Sequence, residues 1–198
     1  MITRVFKLKV ILSGIGGQGV IFMTRLLAQT AINLGHEVIA SETHGMSQRG
    51  GSVLSHLKID GTEAPLIRKG TADLLLALDL GEAINSLPFL RRGSKVFINS
   101  EDGLAETVQN KLDDLEIGVH LIQASQMAVE FGSPAVANVI LIGFAAAFPE
   151  LPFSLDEIAS SLERAAPRAL AINQKALTAG YKAGVELARN TEAVLMRE

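Results

Sequence analysis

Two stretches hold the side chains best suited to chemistry. The first, GIGGQG (Gly14, Ile15, Gly16, Gly17, Gln18, Gly19), stands between an apolar run and a helical pattern. Glycines there let backbone N–H groups come close to a phosphate at a helix N-terminus, where the unsatisfied donors and the helix dipole favour an anion. The second, residues 41–51 (SETHGMSQRGG), follows the apolar run EVIA and gathers Glu42, His44, Met46, Ser47, Arg49 and the pair Gly50-Gly51. Arg49 offers a planar, permanent cation whose fork matches a carboxylate or phosphate. His44 and Ser47 can donate or accept hydrogen bonds, and Met46 gives an adaptable apolar contact. Arg49 could equally be held by Glu42 across the loop, and His44 could be a satisfied structural imidazole.

The glycine loop has three readings. Gly14, Gly16 and Gly19 fit G-x-G-x-x-G, and Glu42 stands somewhat over 20 residues further on, where a dinucleotide site wants an acid for its ribose. That pattern suits NAD(P) or FAD. A loop that holds another anion fits as well, and so does a tight turn whose glycines serve packing alone. A P-loop is excluded, because no Gly-Lys-Ser/Thr follows. A further residue stands out in PAVANVILIGFAAAF (residues 134–148): Asn138, an amide inside an apolar helix. Burying an unpartnered amide costs about 1–3 kcal/mol, so a hydrogen bond is expected, to backbone in the glycine-rich loops or to a ligand. His36, His44, His56 and His120 are scattered without metal-ligand spacing.

The elements that must position these groups follow from periodicity. Apolar runs at 8–13, 73–79, 95–99 and 119–124 read as strands covered on both faces. Residues 37–41 form another, and 52–59 alternates, so it can run antiparallel at the sheet edge or beside the opening strands. Val20, Met23, Leu27, Ala31 and Leu34 recur at helical spacing, with Gly35 as a stop. Ser154 and Glu157 make a capping box, and the last helix lies around residues 169–189, after Pro167. The last third has no strand candidate. Strands alternating with helices imply an α/β/α three-layer fold with a mostly parallel central sheet, a Rossmann-like start and a helical C-terminal third, all in one domain over residues 1–198.

Bulk properties exclude several classes. With 198 residues and 48% hydrophobic content, the chain is long enough to bury a sizeable core. A net charge of -3 gives no basis for a nucleic-acid surface. Arg91-Arg92 reads as a solvated turn, and Glu101-Asp102 and Asp113-Asp114 as solvated loop or helix-start residues. There is no cysteine, so this chain offers no disulfide, thiolate nucleophile or cysteine ligand for an iron–sulfur cluster. That usage is compatible with the cytoplasm. The basic, apolar N-terminus faintly suggests a secretion signal, but Lys7 and Lys9 interrupt it and a first strand is the better reading. Residues 134–148 are too few to span a bilayer, which needs about 20, so no membrane role is expected.

GIGGQG and SETHGMSQRGGSV together resemble the gamma-type subunit or domain of the 2-oxoacid:ferredoxin oxidoreductases, most of all the small subunit of the indolepyruvate type. The resemblance extends to Asn138–Gly143, similar to an Asn-x-x-x-Leu-Gly helix although Ile142 precedes the glycine here. It also reaches Asn173, Ala176, Gly180 and Tyr181, similar to a late N-x-x-A-x-x-x-G-Y element. Pyruvate-type members carry a tyrosine and an acid before Arg-Gly-Gly, where this chain has His44 and Ser47, which favours an aryl-pyruvate. The resemblance implies a non-catalytic but required subunit, inactive alone and binding no cofactor by itself. Thiamine diphosphate and the iron–sulfur clusters would sit on a larger partner, ferredoxin would be met through the complex, and coenzyme A would be a shared ligand. Gly14, Gly16, Gly17, Gln18, Gly19, Glu42, His44, Ser47, Arg49, Gly50, Gly51 and Asn138 are then the ligand- or interface-binding candidates. The alternatives are a free-standing NAD(P)- or FAD-binding protein built on GIGGQG and Glu42, and an assembly module whose loop binds nothing.

Overall fold

The computed structural model describes residues 6–44, 51–61 and 64–195. Its sheet has six strands in the order β2-β3-β1-β4-β5-β6: β1 (Leu8–Ile15), β2 (Val38–His44), β3 (Ser52–Ile59), β4 (Ala72–Ala77), β5 (Leu90–Asn99) and β6 (Gly118–Ile122). β1, β4, β5 and β6 run parallel, with Val10 opposite Leu74, Leu75 opposite Val96 and Val96 opposite Val119. β3 is antiparallel to both β1 and β2. The reason is the short link: only residues 45–51 separate β2 from β3, whereas a parallel crossover needs a dozen or more.

Helices cover both faces. They are α1 (Val20–Asn33), α2 (Leu80–Ser86), α3 (Glu106–Asp114), α4 (Ala124–Glu130), α5 (Ala137–Ala145), α6 (Leu155–Ala165) and α7 (Leu170–Leu195). Because successive strand residues point to opposite faces, Val10, Leu12, Leu74, Leu76 and Phe97 pack with α1, α5, α6 and the inner side of α7. Ile11, Leu75, Ala77, Val96 and Ile98 pack with Ala83 of α2 and Leu112 of α3. This is the three-layer arrangement the alternation implies, with no strand after Ile122 among the described residues.

Local signals explain two of the helix ends. α1 stops where Gly35 takes φ 88°; Gly35 N–H donates to Ile32 and His36 N–H to Ala31, a Schellman cap. The Ser154–Glu157 capping box is formed at the start of α6. α5 is buried at all nine positions, as a helix apolar all round must be. It lies so close to α7 that a Cβ on Gly143 would stand 2.1 Å from the Leu177 carbonyl oxygen, and one on Gly180 2.0 Å from that of Ile140.

Three local expectations change. Arg91 and Arg92 lie within β5, held by Asp73 at 2.7 Å and Glu116 at 2.5 Å, rather than in a turn. Asp113 and Asp114 end α3 instead of starting a helix. The run 134–148 begins with a 3-10 turn at Pro134–Val136, since Pro134 and the turn geometry delay α5 to Ala137. Among the described residues, no helix is long and apolar enough to cross a membrane.

Candidate ligand crevice at the carboxyl ends of the parallel strands

From β1 the chain enters α1 on one face of the sheet; from β4 it enters α2 on the other. Where adjacent parallel strands send their connections to opposite faces, the loops part and leave a crevice. Here it measures about 380 Å³, and Gly17, Gln18, Leu78, Asn99, Ser125 and Pro134 are among the residues that line it.

GIGGQG forms one wall. Gln18 folds back so that its Oε1 accepts from the Ile15 N–H at 2.7 Å, while its own N–H donates to the Ile15 carbonyl at 3.1 Å. The candidate ligand residue Gln18 therefore closes the loop on itself. Gly14 must be small, because a Cβ there would stand 2.8 Å from Gln18 Oε1 and 2.9 Å from a Val20 methyl. Gly17 has φ 100° and open space around its Cα. Gly19, at φ 95°, starts α1 with no side-chain cap, so the first N–H groups of that helix are left for another acceptor.

The second motif reaches this wall through its last glycine: Gly16 N–H donates to the Gly51 carbonyl at 2.8 Å. Ser52, next in the chain, donates to Glu82 of α2 at 2.5 Å. The structure thus brings GIGGQG, Gly51 and the start of α2 together. The side chain of His44, the last residue of β2, and the whole of Met46, Ser47, Arg49 and Gly50 lie outside the described residues, as does any Arg49–Glu42 pair.

Glu42 is placed differently from what a dinucleotide fingerprint needs. It sits in β2 opposite Ser55 of β3, and β3 intervenes between β2 and β1. Two strand spacings, about 10 Å, separate its strand from the one that feeds the glycine loop.

Asn138 lies directly under that loop. It is 6% exposed, and a Cβ on Gly19 would fall 2.1 Å from its Nδ2. The expected hydrogen bond for Oδ1 is missing: that atom is buried without a partner. The Nδ2 side of the amide, not Oδ1, faces Gly19.

Two residues of the crevice escaped the sequence reading. Asn99 ends β5 and donates through Nδ2 to the Leu78 carbonyl at 3.0 Å and to Ser125 Oγ at 2.8 Å. Its Oδ1 accepts from Ser125 N–H at 2.9 Å. One amide thereby ties together the loops after β4, β5 and β6. The signal was available, in a polar residue closing the apolar run KVFIN.

The three histidines with described side chains serve packing and pairing. His36 pairs with Asp60 at 2.7 Å. His56 accepts from Ile67 N–H, and burial, reinforced by Lys58, pushes its pKa below 6.5. His120 stacks on Phe97 and Phe148 at 5.1 and 4.4 Å. Burial lowers its pKa, Lys95 adds to the lowering, and Glu150 opposes it. Among the described residues, no group of three or more His, Asp and Glu could hold a metal.

Comparison with known proteins places this geometry. The sequence profile of the family described as pyruvate ferredoxin/flavodoxin oxidoreductase matches residues 9–183. The indolepyruvate oxidoreductase subunit IorB of Archaeoglobus fulgidus is 31% identical over 194 residues, covering 90% of this chain and 96% of that one. Among solved structures, the gamma subunit of a keto/oxoacid ferredoxin oxidoreductase from Geobacter sulfurreducens shares the fold with a TM-score of 0.72 at 21% identity, covering 90% of this chain and 99% of that chain. A 2-oxoglutarate:ferredoxin oxidoreductase from Magnetococcus marinus, solved with 2-oxoglutarate, coenzyme A and succinyl-CoA, matches with a TM-score of 0.74 at 18% identity. There 91% of this chain corresponds to only 31% of that one.

Proposed function

This chain belongs to the pyruvate ferredoxin/flavodoxin oxidoreductase family, and from that premise we propose that it is the small subunit of an aryl-pyruvate-type 2-oxoacid:ferredoxin oxidoreductase, with indolepyruvate the first substrate to test. The complete reaction converts a 2-oxo acid, coenzyme A and two oxidised ferredoxins into acyl-CoA, carbon dioxide, two reduced ferredoxins and a proton. Electron transfer and decarboxylation belong to a larger partner. With no cysteine, this chain has no thiolate for an iron–sulfur cluster, and thiamine diphosphate is assigned to the same partner.

The observation that carries this reading is the junction of the two motifs. The Gly16–Gly51 bond ties the last residue of the second motif to a glycine turn that opens on an uncapped helix and a crevice. An uncapped N-terminus and close backbone approach suit a phosphate of coenzyme A, and Arg49, on the same loop, suits a phosphate or the carboxylate of the 2-oxo acid. The dinucleotide alternative loses its acid, because Glu42 is two strands from β1.

The test is reconstitution. Alone, the chain should be colourless and should not reduce a viologen dye with indolepyruvate and coenzyme A. Combined with its larger subunit, it should restore reduction, faster with indolepyruvate than with pyruvate. Turnover by the isolated chain, or tight binding of NAD(P) or FAD to it, would sink the proposal.

A further inference from the structure

The outer face of α7 departs from the rest of the surface. The chain as a whole carries a net charge of -3, yet Arg168, Lys175, Lys182 and Arg189 recur every seven residues, and all four are exposed. Seven residues are close to two helical turns, so Lys175, Lys182 and Arg189 form one stripe about 21 Å long at 1.5 Å per residue. Arg168 continues it from the turn just before the helix. None of the four is paired with an acid among the described residues; Glu186, one turn from Lys182 and Arg189, is the one acid on this face with a described side chain.

The gaps between the charges are small or apolar. Ala171, Thr178 and Ala179 lie between the cations, and with Lys175, Lys182 and Phe131 they border a shallow groove of about 550 Å³. Phe131 stays 37% exposed at the rim. Small residues let another backbone approach, Phe131 offers an apolar anchor, and the cations frame both.

We propose that this stripe is a docking face for an acidic amphipathic helix of the larger subunit, whose carboxylates face Lys175, Lys182 and Arg189 while an apolar residue rests against Phe131. The inference depends on the subunit assignment above and extends it to a particular surface. Charge complementarity selects the partner: an isolated row of cations on an acidic protein attracts an acidic face and repels a second copy of itself. Nucleic acid fits poorly, because these charges are about 10.5 Å apart in a single row, whereas a duplex presents phosphates far more densely.

The test uses the full chain and its larger subunit. The triple variant Lys175→Glu, Lys182→Glu, Arg189→Glu is compared with Arg68→Glu, Lys69→Glu, Lys111→Glu, which changes the net charge equally at other exposed sites. Affinity for the larger subunit should fall by roughly tenfold to a hundredfold in the stripe variant and by less than about threefold in the control. The milder pair Lys182→Gln, Arg189→Gln should show an intermediate loss, with unchanged circular dichroism and a shallower dependence of affinity on salt. Equal affinity of the stripe variant and the wild type overturns the inference while leaving the subunit assignment intact. So does a stripe variant that joins the larger subunit normally but fails to be reduced-ferredoxin competent, which would make ferredoxin the occupant. Absence of any binding by the wild type removes the subunit assignment itself and this inference with it.

Discussion

The N–H of Gly16 donates to the carbonyl of Gly51 at 2.8 Å, joining two glycine-bearing motifs far apart in the chain. β3, which starts at Ser52, runs beside β1 with Ile15 opposite Ser52, so the end of one strand meets the start of its antiparallel neighbour. The reversed strand is what makes the junction. In an all-parallel sheet, the start of β3 would lie at the far edge from the glycine loop.

The glycine loop should respond unevenly to alanine. Gly17→Ala meets open space and carries only the strain of a positive φ, about 1–2 kcal/mol. Gly19→Ala carries that strain and also collides with Asn138, so it should lose at least about 2 kcal/mol more. Adding Asn138→Ala should recover part of the excess, with a coupling of about 1–3 kcal/mol. Urea melts of the four proteins check this; strict additivity would mean that Gly19 and Asn138 do not share the site as drawn.

The α5–α7 contact should be the least tolerant place for a single methyl. Each Cβ at Gly143 or Gly180 would meet a backbone carbonyl, which cannot rotate away, so the helices must separate. Gly180→Ala should cost about 3 kcal/mol or more, or prevent folding. Gly132→Ala, at φ 72° with open space, should cost only about 1 kcal/mol. Comparable melting temperatures for the two variants would contradict the packing described.

The sequence was most informative where one pattern answered to one force. The runs at 8–13, 73–79 and 95–99 became buried strands, Gly35 ended its helix, and Ser154 and Glu157 capped theirs, because each depends on neighbours within a few residues. The run at 119–124 is not covered on both faces: β6 is the sheet's edge and buries only Ile122. The place of β3 between β2 and β1 is not local, and it is what moved Glu42 away from the glycine loop. Asn99 went unnoticed for the same reason: an amide at a strand end looks ordinary until the loops after β4 and β6 are seen to meet on it. Asn138 stands out in the sequence as a polar residue in an apolar helix, but only the fold shows that Gly19 packs against its Nδ2 while its Oδ1 stays buried without a donor.

Acid should weaken the fold through one buried and one half-buried imidazole. His56 and His120 both have pKa values held below 6.5 by burial, so between 6.5 and the folded value the unfolded chain binds protons that the native chain refuses. Stability is therefore full above 6.5 and is lost as pH falls through that window. The melting temperature should drop as pH is lowered from about 7 to about 5.5. His120→Phe, which keeps a ring against Phe97 and Phe148, should make that drop shallower. A variant with the same pH slope as the wild type would rule out His120 as a contributor.

Asn138 separates structure from ligand binding most cleanly. Its Oδ1 is buried and unpartnered, so in the free protein the amide carries a desolvation cost without the compensating bond. Replacing such a group by an apolar one of the same shape is commonly neutral or stabilising. Asn138→Leu has nearly that shape, and the isolated chain should melt at the wild-type temperature or slightly above it. If the amide serves only packing, nothing else should change. If it supports the glycine loop in holding an anion, the thermal shift that coenzyme A or inorganic pyrophosphate gives the wild type should shrink. A ligand at 100 times its Kd adds about 2.7 kcal/mol to stability, and a tenfold weaker site would lose about half of that. Asn138→Asp tests the same point by charge, since a carboxylate under the loop would repel the anion. Equal ligand-induced shifts in the wild type and both variants would leave Asn138 a packing residue and detach it from the crevice.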